Sequence, residues 1–107
     1  MKVTSLGEII AERKFVMRTD SGTEREVLVL LGKPKQFSDS TDYYCPCQIK
    51  GIGGERIKYF AGVDAFQSLN CTMQALGAEL QYLNHQANGR ISWGADKTGS
   101  LGFPVPE

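Results

Sequence analysis

Three cysteines and a single histidine are the residues of this sequence that could carry metal or nucleophilic chemistry. Cys45 and Cys47 are two residues apart, and in a β-strand such side chains point to the same face. A C-x-C pair can supply two zinc ligands, but a closed site needs four, and only Cys71 and His85 remain as soft ligands. These two lie fourteen residues apart on a predicted helix, hence about 21 Å apart. We therefore expect no metal and no cofactor, and interpret the thiols as small buried side chains.

Nucleophilic catalysis by a cysteine–histidine pair requires hydrogen-bond contact between the two side chains. The predicted helix would hold His85 roughly 30 Å from its own first turn, near which Cys45 is expected. We therefore predict that the protein is not an enzyme. One alternative stays open: a small enzyme or ligand binder with a pocket at the junction of a hairpin and the helix. Cys45, Tyr59, Asp64 and Gln67 would line that pocket, where amide dipoles could lower a thiol pKa and burial would raise it.

The elements that must position these residues begin with a β-hairpin. Glu8–Thr19 and Thr23–Gly32 both have the apolar spacing of strands, and the second contains an unbroken apolar run typical of a central strand. A three-residue turn with Gly22 in the left-handed conformation predicts that Phe15 faces Val27. The alternative two-residue turn would place two arginines opposite each other.

A second hairpin is predicted around the C-x-C pair. Tyr43–Lys50 forms its first strand, and matching the apolar faces of the two strands places Cys47 opposite Tyr59. The turn would then contain Gly54 in a left-handed conformation. Pro46 donates no backbone hydrogen bond, so this strand is predicted either to be an edge strand or to be bulged at Pro46.

A long helix follows the second hairpin. Asp64 is its predicted N-cap, and Gln67 stands at the third helical position as in a capping box. The helix should end near Gln86, before a left-handed cap at Gly89. Its predicted core-facing stripe comprises Phe66, Leu69, Met73, Leu76, Leu80 and Leu83. Gly77 lies at the edge of this stripe and suggests a close approach of the helix backbone to the sheet.

The opposite side of this helix is the most informative surface that the sequence predicts. We call it the neutral face, and it comprises Gln67, Cys71, Gln74, Ala78, Gln81 and His85. From Ala65 to His85 the one formal charge is Glu79, whereas an exposed helix normally carries several charges. Such a face is inexpensive to desolvate and suits contact with a second copy of the chain, with its own tail or with another protein. In a two-fold dimer, Cys71 would lie near its own mate.

The composition limits the class of protein. At 107 residues the chain is long enough for a single domain, with a polar loop over Lys33–Asp42 and an irregular Gly- and Pro-rich tail over Gly94–Glu107. Twelve basic and twelve acidic residues give a net charge of zero, which argues against nucleic-acid and anionic-membrane partners. No apolar run approaches the ~18 residues of a membrane span. Three sparse cysteines favour a reducing cytoplasm.

Two segments of the sequence resemble a known family. YYCPCQIKG over residues 43–51 and GVDAFQSL over residues 62–69, together with Trp93 and the late Gly102-Phe103-Pro104, are similar to an uncharacterised bacterial domain family of unknown function. The resemblance covers roughly the second half of the chain. It implies a bacterial cytoplasmic origin and brings no activity, substrate or cofactor.

These observations combine into one prediction of fold and one of function. The fold is α+β: an antiparallel sheet of four to five strands in the order ββββαβ, with one long helix packed across one face. The function is that of a non-enzymatic protein-interaction module, a homodimer that uses the neutral face. An accessory or immunity-type protein that binds a different protein is a related form of this hypothesis.

Overall fold

The computed structural model describes residues 3–94 and 100–104, which form one antiparallel sheet and one long helix. In chain order the elements are β1 (Ile9–Arg18), β2 (Glu24–Gly32), β3 (Lys35–Gln36), β4 (Tyr43–Lys50), β5 (Lys58–Gly62), α1 (Ala65–Gln86) and β6 (Ile91–Ser92). The α+β class is confirmed, with six strands because the short β3 lies inside the predicted polar loop. The predictions made for residues 95–99 and 105–107 lie outside the described residues.

Strand β2 has a central position in the sheet, as its apolar run predicts. It pairs with β1 on one side and with β4 on the other, and β6 pairs with β1. The predicted β1–β2 register is confirmed, since Phe15 pairs with Val27. Gly22 in the connecting turn has a φ of +87°, a left-handed conformation that glycine adopts without steric cost.

The predicted register of β4 with β5 was wrong by one residue. Cys47 pairs with Lys58 and Cys45 pairs with Phe60, whereas we predicted Cys47 opposite Tyr59. A displacement of one residue exchanges the two faces of a strand. Phe60 therefore packs against the core, while Tyr59 lies on the opposite face of the sheet.

Two contacts explain this register. The ring of Tyr59 packs edge-on against Phe37 and Tyr44 on the outer face, with ring centroids 6.3 and 6.0 Å away. On the inner face, Lys58 extends its long side chain to Glu79 of α1, 2.6 Å from Nζ to Oε1. The prediction assumed that every apolar residue of β5 faces the core, and these two contacts show why that assumption fails.

The connection between β4 and β5 also differs from the predicted tight turn. It covers residues 51–57, and positive φ values occur at Gly51, Gly53 and Glu55 rather than at the predicted Gly54. The side-chain amide of Gln48 donates to the carbonyl of Glu55 at 2.8 Å and so holds this longer loop against β4.

Strand β4 is an interior strand, so the edge-strand prediction was wrong, and its pairing with β5 runs through Pro46 in continuous register without the predicted bulge. Along one edge, β4 pairs with β5 over residues 43–47. Along the other edge it pairs with β2 up to Cys47 and with β3 from Tyr44, which leaves Pro46 between the two ladders. The ring of Pro46 lies against Gly32, where an added Cβ would meet its Cγ at 2.7 Å. The interruption suits a residue that has no N–H to donate.

Helix α1 begins and ends close to the predicted positions. Asp64 is the N-cap: its Oδ1 accepts from the backbone N–H of Gln67 at 2.8 Å, and Gln67 Oε1 accepts from the N–H of Val63 at 2.7 Å. These two hydrogen bonds satisfy the backbone N–H groups of Val63 and Gln67. The N–H of Gln67 lies in the first turn of the helix and would otherwise have no partner within it. After Gln86, Gly89 takes the left-handed conformation predicted for it, with a φ of +75°.

Four leucines of the predicted apolar stripe face the core: Leu76 and Leu80 are buried, and Leu69 and Leu83 are partly buried against it. The buried positions are Ser68, Thr72, Leu76, Gly77 and Leu80. Phe66, which we predicted to face the core, is 84% exposed. Small side chains suit the first half of the helix because it approaches β5 closely: a Cβ at Gly62 would overlap the backbone nitrogen of Ser68.

Gly77 faces the C-terminal segment rather than the sheet, contrary to the prediction. A Cβ at Gly77 would lie 2.5 Å from the carbonyl oxygen of Pro104 and 3.1 Å from Cβ of Phe103. Helix α1 packs against β4 and β5. Leu101 is buried in the core and the ring of Phe103 packs on Phe15, so these tail residues complete the core beside the helix.

Candidate interaction surface

The neutral face of α1 points to solvent. Gln67, Ala78, Gln81 and His85 are exposed, and Cys71 and Gln74 are half-buried. The single formal charge of the helix, Glu79, lies on its flank, where Lys58 of β5 pairs with it. The neutral face therefore presents amide, methyl, thiol and imidazole groups to solvent without a formal charge.

Three large apolar side chains border the neutral face. Val63 is 69% exposed, Phe66 84% and Tyr82 62%. At 100° per residue, Phe66 and Tyr82 lie about 80° to either side of Gln74. Sequence reasoning missed Phe66 because its spacing fits the apolar stripe. Phe66 comes two residues after the N-cap, where the chain has just left the edge of the sheet. This position was the signal that could have predicted its exposure.

Both thiols of the C-x-C pair are buried beneath α1. The Cys45 thiol donates to the carbonyl of Gly32 at 3.4 Å, and the Thr72 hydroxyl donates to the Cys45 carbonyl at 3.1 Å. Burial raises the pKa of the Cys45 thiol, an effect that hydrogen bonding with Thr72 partly offsets. Burial, and then the neighbouring Cys45, raise the pKa of Cys47 to about 12. Both environments favour the neutral thiol over the nucleophilic thiolate.

The histidine stands far from these thiols. His85 is exposed in the last turn of α1. Thr72, which contacts the backbone of Cys45, precedes it by thirteen residues on one unbroken helix. The distance along the helix axis is therefore about 20 Å.

The structure separates the residues that we predicted to line an alternative pocket. Cys45 lies on the face of the sheet that α1 covers, while Tyr59 lies on the other face. Asp64 and Gln67 do come together, but their side chains cap the helix. The four residues therefore do not line one pocket. Asp64 and Gln67 cap the helix, and the Cys45 thiol and the Tyr59 ring lie on opposite faces of the sheet.

Within residues 3–94 and 100–104, no three His, Cys, Asp or Glu side chains are close enough to share a metal ion. In the part of the chain that the structure describes, no helix is both long enough and apolar enough to cross a membrane. All three cysteines are free, and Cys71 is the one of the three that solvent reaches.

The fold and this surface define a small α+β domain with a charge-free, exposed helix face. The chain matches the family described as Domain of unknown function (DUF6968) over residues 11–105, and it belongs to that family. This match extends the resemblance seen in the second half of the sequence to most of the chain. Comparison with curated proteins and with solved structures gave no match.

Proposed function

We propose that this protein is a non-enzymatic interaction module that forms a homodimer through the neutral face of α1. The observation that carries the proposal is the exposure of a 22-residue helix whose outward side has no formal charge. The sequence has twelve basic and twelve acidic residues, so charged side chains are plentiful elsewhere. Their exclusion from this face lowers the free energy needed to desolvate it on contact.

A second copy of the chain is the partner that the charge pattern favours. A neutral face that meets itself across a two-fold axis creates no like-charge contact, and the zero net charge leaves little long-range repulsion between copies. Antiparallel pairing of two helices about Gln74 would bring Phe66 of each copy beside Gln81 of the other. It would also put both Cys71 side chains on the same flank, about 9 Å apart along the helix axis.

The size of the face predicts weak, reversible association. Helix α1 is about 33 Å long, and one side of a helix is about 10 Å wide, so the helix alone offers roughly 350 Å² per copy. A standard interface buries about 800 Å² per partner. Val63 and Phe66 enlarge the apolar contact at both ends of a symmetric pair. We therefore expect a dissociation constant on the order of 100 μM.

A matched pair of substitutions at Ala78 tests this proposal. Ala78→Glu places a charge in the centre of the neutral face, whereas Ala78→Gln adds a side chain of the same size without the charge. Both keep monomer stability within about 0.5 kcal/mol, because Gln and Glu are good helix formers at an exposed position. Sedimentation velocity should show dimers for the wild type, with dissociation at least tenfold easier in Ala78→Glu than in Ala78→Gln. A wild type that stays monomeric at millimolar concentration would refute the proposal.

Cross-linking through Cys71 supplies a second test. A short bismaleimide should join two wild-type chains, since Cys45 and Cys47 are buried and Cys71 is accessible. Cys71→Ser should abolish the cross-linked dimer, and Ala78→Glu should strongly reduce it. Equal cross-linking in wild type and Ala78→Glu would mean that the thiols meet by random collision.

Three further proposals concern the partner, the cellular location and the origin of the protein. An accessory or immunity-type role would use the same face to bind a different protein. A reducing, cytoplasmic location is supported by three unpaired cysteines, and a bacterial origin comes from the family resemblance alone. The catalytic alternative at Cys45 has no comparable support, because burial disfavours its thiolate.

A further inference from the structure

A cavity lies between α1 and the loop that connects β4 to β5. Its volume is about 130 Å³, well below the roughly 300 Å³ at which sites for drug-sized ligands begin. All its lining residues fall between Ile49 and Leu83, and Lys58 at the start of β5 is one of them. The helix cap at Asp64 follows the other end of β5. The cavity is therefore separate from the junction at which we predicted an alternative pocket, and it has room for a small molecule.

Two contacts between the hairpin and the helix frame the cavity. A Cβ at Gly53 would lie 3.6 Å from Cδ2 of Leu83, so the loop packs on the helix there. One turn earlier on α1, Glu79 pairs with Lys58 of β5 at 2.6 Å. Glu79 and Leu83 are four residues apart, hence about 6 Å apart along the helix axis. The opening between the two contacts therefore has the width of a small side chain.

One part of the cavity wall is apolar. Ile49 is buried in the core, Ile52 and Leu83 are partly buried against it, and all three line the cavity. Water beside such a wall finds few hydrogen-bond partners, so its replacement by an aliphatic group is favourable. This part of the cavity suits a branched aliphatic side chain.

The rest of the wall carries two pairs of opposite charges. Lys58 and Glu79 pair with each other. Glu55 and Arg56 also line the cavity, and neither forms an ion pair within the described part of the chain. An unpaired carboxylate and an unpaired guanidinium on neighbouring residues complement a ligand that carries an ammonium and a carboxylate close together. The four charges sum to zero, so they favour a ligand without net charge over an anion or a cation.

The backbone of the loop holds Glu55 in an unusual conformation. Its φ of +55° lies in the left-handed region, which glycine or asparagine adopts at lower cost. Its carbonyl accepts from the side-chain amide of Gln48 at 2.8 Å, which fixes the residue against β4. A strained residue held by its surroundings is a recurrent feature of ligand sites. The strain and the unpaired carboxylate thus occur at the same residue of this loop.

We propose that this cavity binds a free α-amino acid with an apolar side chain of the size of leucine. Glu55 accepts from the α-ammonium and Arg56 donates to the α-carboxylate. The side chain packs on the apolar wall formed by Ile49, Ile52 and Leu83. The terminal residue of a peptide carries one of the two charged groups, so the pair of charges favours the free amino acid. The site lies on the flank of α1 and does not depend on the homodimer proposed above.

Titration of the full-length chain with L-leucine tests this site. We expect the backbone amide signals of Gly53 and Gly54 to shift in ¹⁵N–¹H spectra, with a dissociation constant on the order of 1 mM, while that of Gly22 stays constant. Free glycine lacks the apolar side chain and should bind at least tenfold more weakly. Leucinamide and N-acetyl-leucine imitate the first and the last residue of a peptide. Each lacks one charge and should also bind at least tenfold more weakly.

Substitutions with matched controls test the two charged contacts. Glu55→Gln and Arg56→Gln should each weaken leucine binding at least fivefold, and both residues are exposed, so the fold should be kept. Glu24→Gln and Arg25→Gln make the same changes on two neighbouring exposed residues of β2 and should bind leucine as the wild type does. Ala78→Glu should also bind leucine normally, so that failure of the homodimer and failure of this site give different results.

Three results would overturn the proposal. The first is constant Gly53 and Gly54 signals with about 20 mM leucine, well above the expected dissociation constant. The second is equal affinity for leucine and for either blocked derivative, which would assign the cavity to a peptide terminus. The third is unchanged leucine binding in both Glu55→Gln and Arg56→Gln.

Discussion

The buried thiol of Cys47 makes the folded state sensitive to alkaline pH. Its pKa is raised by burial from 9.0 to about 12, so between these values the folded protein holds a proton that the unfolded chain has released. This contribution to stability is complete below pH 9.0 and is lost as the pH rises toward about 12. We expect Cys47 to contribute a fall of about 1.4 kcal/mol per pH unit to the free energy of unfolding in this range, beside the contribution of Cys45, whose pKa burial also raises. Urea denaturation measures the sum.

A substitution separates this effect from other alkaline titrations. Cys47→Ala lowers stability overall but removes the buried thiol, so the fall in stability above pH 9 should be clearly shallower than in wild type. Identical slopes for the two proteins would show that Cys47 ionises in the folded state as an ordinary thiol does.

Alkylation distinguishes the three cysteines by their exposure. Iodoacetamide at neutral pH should modify Cys71, which solvent reaches, and should modify Cys45 and Cys47 only when the chain unfolds. Mass spectrometry of the digested protein gives the three rates separately. Rapid modification of Cys45 in the folded state would restore the catalytic alternative.

At the scale of elements, the start of α1 depends on one side chain. Asp64→Ala removes the acceptor for the N–H of Gln67 and should lower the free energy of unfolding by about 1 kcal/mol. Asp64→Asn keeps a side-chain oxygen and should stay within a few tenths of a kcal/mol of wild type. Thermal unfolding followed by circular dichroism measures both. Equal losses for the two variants would mean that charge, rather than capping, sets the stability of this helix end.

The contact between β5 and α1 is tight enough to exclude a methyl group. Gly62→Ala places a Cβ against the backbone of Ser68, and we expect it to cost more than 2 kcal/mol because backbone must move. Gly54→Ala is the matched control, since its Cβ would meet only the flexible side chain of Arg56 at 3.7 Å. Urea denaturation of both proteins gives the comparison. A near-neutral Gly62→Ala would contradict the close approach of the helix to this strand.

Local chemistry accounts for the elements that the sequence predicted well. Gly22 with its flanking strands determined the first hairpin, and Asp64 and Gly89 bracketed the helix, because turns and caps are encoded within a few residues. The register of β5 could not be predicted in this way. It depends on Lys58 reaching Glu79 and on Tyr59 packing with the aromatic rings of the outer face. Those contacts join residues that are distant in sequence.

The same distinction applies to the proposed interaction surface. The charge-free character of the neutral face is readable from helical spacing, whereas the exposure of Phe66 follows from how the helix sits on β5. The packing of the C-terminal segment against β1 and α1 was not predicted. Arg13 and Gly102 are 89 residues apart in the sequence, and only the folded chain brings them together.

At the scale of the whole molecule, the sides of α1 have different surroundings. One side of the helix packs on β4 and β5, the neutral face is exposed, and the flank at Gly77 borders the C-terminal segment. A second copy bound to the neutral face would therefore leave the contacts of α1 with the sheet and with the C-terminal segment in place. The zero net charge suits such a module, since this contact does not rely on long-range attraction.

A dilution series followed by ¹⁵N–¹H spectroscopy tests most directly whether the neutral face is a self-interface. Glutamine side-chain amides give their own signals, and the face carries Gln67, Gln74 and Gln81. We predict that these three signals shift with protein concentration from about 10 μM to 1 mM, while those of Gln36 and Gln48, on the sheet, stay constant. Constant signals throughout, or shifts confined to residues outside α1, would contradict the account.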